Sequence, residues 1–197
     1  MNSVVKERTK RILRWEWFNR YSIKKRVIIL YLAIVVGVSI DALLSYLAYL
    51  RDPLHFIMNE QSMEAVMWAR DGAIPYFTPI MLIVLPISLY YTLRGTKHMD
   101  DDVVKNASYI TEKRQKRIQW FIRSSEITIY EVCFALCFLR IIGGLSWWTD
   151  LRIIAPLFGF GIGYIIAGAV VIGVFMFLGE YSIRKLKKEI REASSGM

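Results

Sequence analysis

Val27–Leu50 reads VIILYLAIVVGVSIDALLSYLAYL, with Asp41 its one charged residue. As an α-helix these 24 residues rise about 36 Å, enough to cross a hydrocarbon core of roughly 30 Å. The apolar side chains are not confined to one stripe, as they are on the surface helix of a soluble domain. They surround the helix. In lipid that is what stability demands, because every outward side chain meets hydrocarbon and the backbone bonds to itself.

Three further stretches follow the same rule, Ala73–Leu93, Ile127–Trp148 and Ile153–Gly179. The chain as a whole is 55% hydrophobic and its mean hydropathy is +0.35, beyond the ~45–50% apolar content of ordinary soluble domains. The expected fold is therefore an all-α, polytopic membrane protein, one domain over 1–197. It divides into a basic segment 1–26, spans 27–50, 73–93, 127–148 and 153–179, an outer loop 51–72, a basic loop 94–126 and a basic tail 180–197. The first run is too long for the apolar part of a cleaved signal peptide, and no small-x-small site follows it. A retained first helix is expected.

The basic residues sort by side. Segments 1–26, 94–126 and 180–197 hold 22 Lys and Arg, whereas the other two connections hold 3, Arg51, Arg70 and Arg152. Four crossings and the positive-inside rule then put both termini and the middle loop in the cytosol, with the plasma membrane as the expected location. This sorting also accounts for the +9 formal charge without nucleic acid as a partner. Anionic headgroups are the adjacent counter-charges. Trp15, Trp17, Trp120, Trp147 and Trp148 fall near predicted helix ends, where aromatic rings anchor at the interface.

Between the spans, residues 4–23 mix cations with Ile12, Leu13, Trp15, Phe18 and Tyr21, which suggests an interfacial helix. Asp52-Pro53 predicts a helix start, and the apolar spacing from Leu54 to Met67 predicts one short amphipathic helix that ends at Asp71-Gly72. Asp100, Asp101 and Asp102 suit a helix N-terminus, so a helix beginning there is expected to run into the third span. Glu180–Arg184, Lys185–Glu189 and Lys188–Glu192 are i,i+4 pairs that extend the fourth helix. Asn106-Ala107-Ser108 matches a glycosylation sequon, but on the cytosolic side it would not be used.

Few residues carry chemistry. Asp41 lies 14 residues into the first run and Arg140 lies 13 into the third, and both helices run outward. The two charges thus reach nearly the same depth, and an intramembrane charge pair is expected because each alone is costly in hydrocarbon. Such a pair either locks two helices or serves an ion or anionic-substrate path. Glu131, on the opposite face from Arg140, reads as a headgroup-facing carboxylate. Pro79 and Pro86 predict kinks in the second span, and Pro75 suits a first turn. Ala155, Gly159, Gly163 and Ala167 form a small-residue stripe of the kind that lets helices approach closely, within the chain or against another subunit.

Cys133 and Cys137 share a helix face, and His55 and His98 lie in different connections, so no metal site and no cofactor is expected. No phosphate loop, zinc-protease motif, nucleophile elbow or internal repeat occurs. Without convergent His, Cys and carboxylate groups, an enzyme is the least supported class. The leading expectation is a non-catalytic structural or accessory subunit of a membrane complex, with lipids and other subunits or further copies as partners. The alternative is a small oligomeric transporter or channel that uses Asp41 and Arg140.

Overall fold

The computed structural model describes residues 17–60, 63–106, 111–149 and 151–195. These are helical almost throughout, as α1 (Ile23–Arg51), α2 (Pro53–Asn59), α3 (Met63–Asp71), α4 (Phe77–Lys105), α5 (Glu112–Leu145) and α6 (Leu151–Ser195). Ile23–Arg51, Thr78–Lys105, Glu112–Leu145 and Ile162–Glu189 are each long and apolar enough to cross a membrane. The four expected runs are thus four helices. All extend beyond the apolar runs at one end or both, because the amphipathic flanks continue the same periodicity.

The chain divides into two compact units. The first comprises the described residues of Met1–Arg26, Tyr90–Val132 and Ile166–Met197. Its core is Val103, Ile118, Ile122 and Ile183, with Met99 packed against them. Trp120 and Phe121 meet Phe175 at ring distances of 5.4 and 5.6 Å. The buried hydroxyls of Thr96 and Ser125 donate to the carbonyls of Leu93 and Ile122 in their own helices, at 2.9 and 2.7 Å. Each is thereby satisfied without a partner across the core. Arg114 bonds Glu189 at 2.7 Å and Lys187 bonds Asp102 at 2.8 Å.

The second unit comprises Val27–Leu89 and Cys133–Ile165. The carboxylate of Asp52 accepts from the His55 N–H at 3.0 Å, with Pro53 in the first turn of α2. The expected cap is present. Instead of one amphipathic helix, however, the connection holds two: α2 stops at Asn59, where Glu60 is extended and its N–H bonds the Phe56 carbonyl. Gly72 closes α3 with φ +67°, the left-handed conformation that favours glycine. Phe56, 1% exposed, stacks on Trp147 at 5.0 Å, and Tyr49 bridges to both Phe56 and Trp68. Glu64 reaches forward to cap α4, accepting from the N–H groups of Tyr76 and Thr78 at 3.0 and 3.1 Å and from the Thr78 hydroxyl at 2.8 Å.

The acidic triplet is a correction. Asp100–Asp102 lie in the last two turns of α4, and the next helix begins at Glu112. Val103, fully buried, holds those turns in the core, and Lys187 supplies Asp102 with the positive charge that a helix C-terminus does not. Of the three expected pairs along α6, Arg184–Glu180 and Lys188–Glu192 form, whereas Glu189 turns to Arg114 in place of Lys185. Most of the expected N-terminal interfacial helix, residues 4–16, lies outside the described residues.

Candidate functional site

In the second unit α1 and α5 approach so closely that a Cβ would clash at Gly37 and crowd its neighbours at Gly144. A Cβ on Gly37 would lie 2.8 Å from the Cys137 carbonyl oxygen and 2.9 Å from its Cα. On Gly144 it would lie 3.0 Å from the Asp41 Cα and 3.1 Å from the Leu44 Cβ. At this crossing Arg140 Nη1 donates to Asp41 Oδ2 at 3.2 Å. The two expected partners therefore meet. The pair lies at the rim of the contact: the Asp41 side chain is 21% exposed and that of Arg140 is 48%. A guanidinium offers five donors, and among the described contacts of Arg140 one is used.

A second ionic cluster, in the first unit, went unread in the sequence. Arg26, 6% exposed, directs Nη1 to Glu126 Oε1, to the Tyr130 hydroxyl at 2.6 Å and to Asn19 Oδ1 at 3.3 Å. The Tyr130 hydroxyl in turn donates to Asn19 Oδ1 at 2.9 Å. Phe18, fully buried, packs edge-on to Tyr130 at 4.8 Å. A usable signal existed. Arg26 and Glu126 each immediately precede an apolar run, and the two runs are expected to cross in the same direction, so the depth arithmetic that paired Asp41 with Arg140 pairs them too.

Helix α6 departs from expectation in register. Gly163 and Ala167 are exposed, and nothing lies within 4 Å of where a Gly163 Cβ would stand. The surroundings of Ala155 and Gly159 are outside the described residues. Among the described glycines of α6, Gly168 packs most tightly, since its Cβ would collide with Val132 Cγ2 and lie 3.5 Å from Thr128 Cγ2, and Gly179 stands in ordinary contact with Met99 and Ile122. The Gly163–Ala167 half of the stripe is unused by the described part of its own chain.

Pro79 occupies the first turn of α4, where no intrahelical bond is forfeited, and Pro86 alone stands inside that helix. Pro156 stands inside α6. Cys133 is buried, Cys137 half-buried, and both are free thiols. Among the described residues no three His, Cys, Asp or Glu side chains converge as metal ligands would. Outside the spans, the Arg70 guanidinium bonds Asp71 and holds its carboxyl below the usual range. Lys187 does the same for Asp102. No family model matches the chain, and no curated protein or solved structure matches it significantly.

Proposed function

We propose that this chain is a non-catalytic structural or accessory subunit of a multi-pass membrane complex, seated in the plasma membrane with both termini and the 94–126 connection cytosolic. The observation that carries the reading is the open Gly163–Ala167 face of α6. Against lipid, small residues contribute little; against a helix they allow close backbone approach. A face of that composition left uncovered by the described part of its own chain suits a neighbouring subunit. The exposed Ile166, Val170 and Val174 give such a neighbour apolar surface on the same helix.

Purification in mild detergent followed by native mass spectrometry tests this. Stoichiometric foreign subunits that dissociate in Gly163→Leu are expected. Unchanged composition and melting temperature in Gly163→Leu would mean that the face points at lipid.

A second reading, a small oligomeric transporter or channel, is favoured by Arg140. A guanidinium 48% exposed within an apolar span needs further acceptors, which a water-filled path would supply. A homo-oligomer that carries ion flux in liposomes, lost in Arg140→Gln, would select this reading over the first.

A further inference from the structure

Among the described residues, the turn that precedes α1 is held from inside and exposed outside. Phe18 is buried on Tyr130, and Asn19 accepts from both Tyr130 and Arg26. The Tyr21 N–H closes the turn on the Phe18 carbonyl at 3.1 Å. With those two side chains turned in, their neighbours turn out. Trp17 is 54% and Tyr21 40% exposed, and Arg20, Lys24 and Lys25 are exposed beside them. Trp17, Phe18 and Tyr21 meet edge to face at 5.5–6.1 Å, so the rings brace one another.

Several cations of the first unit are neutralised within the chain. Arg26, Arg114, Arg184 and Lys187 each bond a carboxylate. Among the described residues Arg20, Lys24 and Lys25 have no ion-pair partner. These three cations lie within six residues, alongside two exposed amphipathic rings, at the end of a helix that continues as exposed Ile28, Ile29 and Leu32. Cations and amphipathic rings side by side suit the headgroup and glycerol levels of a phospholipid, where Trp and Tyr are enriched and anionic phosphates lie.

We propose that Trp17–Lys25 is a preformed seat for an anionic phospholipid headgroup, its phosphate held by Arg20, Lys24 and Lys25 and its register set by Phe18 and Asn19. A nucleic acid would match the cations, but they stand at the start of a helix long and apolar enough to cross a membrane, beside an anionic lipid surface, so the lipid is the better fit. The seat needs no second subunit, and it stands or falls independently of the accessory role.

The test is native mass spectrometry of the full chain purified in detergent and titrated with phosphatidylglycerol or phosphatidylcholine. Wild type should retain phosphatidylglycerol preferentially. Near an anionic surface each Lys or Arg contributes roughly fivefold to association, so Arg20→Gln/Lys24→Gln/Lys25→Gln should reduce retention by about tenfold or more. Asn19→Ala, with its charge intact, should weaken retention by loosening the turn. An equal-charge control, Lys113→Gln/Arg117→Gln/Lys185→Gln, should bind as wild type does. Full retention by the first triple variant would overturn the proposal. So would equal losses in both triple variants, which would reduce the effect to net charge. Circular dichroism and a single elution peak would establish that each variant is folded.

Discussion

Gly37 has no room for even one added carbon. Its neighbour in the contact is the Cys137 backbone rather than a flexible side chain, so Gly37→Ala must push α1 from α5. Overpacking of this kind costs about 1–3 kcal/mol. Gly95, with nothing within 4 Å, is the counter-case: Gly95→Ala should be neutral or raise stability by up to about 1 kcal/mol, since alanine loses less conformational entropy in a helix. Thermal unfolding in detergent checks both, and equal effects would refute the close crossing.

At the same crossing Asp41→Asn and Arg140→Gln should each destabilise, by as much as roughly 3–5 kcal/mol where the orphaned charge is fully desolvated. The double variant should recover part of the loss, with a coupling of about 1–2 kcal/mol. A double-mutant cycle measures it. If stability returns but the complex or ion flux does not, the pair is functional as well as structural. The pair was legible because charges in apolar runs are conspicuous and depth follows from residue count. The cluster around Arg26 carries the same depth signal, but charges at span ends are so common that topology alone accounts for them and the signal does not stand out.

Local preference and tertiary packing disagree over the elements that connect the spans. The acidic triplet has the composition of a helix start, yet α4 runs through it to Lys105. Burial of Val103 against Ile118, Ile122 and Ile183 outweighs a dipole effect of about 0.3–1 kcal/mol. The tie from Lys187 holds the Asp102 carboxyl below its unfolded value. A depressed folded pKa contributes stability above the unfolded pKa of about 3.9, and that contribution is lost as pH falls through the folded value. Wild type should therefore lose stability below about pH 4, and Asp102→Asn should lose less on acidification while starting lower. Identical acid profiles would show that the tie does not persist in solution.

The 51–72 connection follows its sequence signals at its two ends. Asp52-Pro53 and Asp71-Gly72 are local signals, and both act locally. The break after Asn59 and the reach of Glu64 to α4 are tertiary, and no spacing rule announces them. Glu64→Ala strips the first turn of α4 of its acceptor, for an expected loss near 1 kcal/mol, as for other N-caps.

Over the whole molecule, the four long helices were legible because apolar length is a one-dimensional property of sequence. Which faces meet is not. The stripe on α6 was visible as composition, but in this chain the contact falls on Gly168, one residue from Ala167. That rotation of about 100° turns the stripe outward. Orientation rests on charge sorting, and it underlies the proposed cytosolic termini and the site open to partners.

Its direct test is cysteine accessibility in intact cells, in a Cys133→Ala/Cys137→Ala background. Ser3→Cys, Ser108→Cys and Ser194→Cys should react with a membrane-impermeant maleimide only after permeabilisation, while Leu54→Cys and Met58→Cys, on the exposed face of α2, should react in intact cells. Labelling of Ser108→Cys from outside an intact cell would contradict four crossings with cytosolic ends.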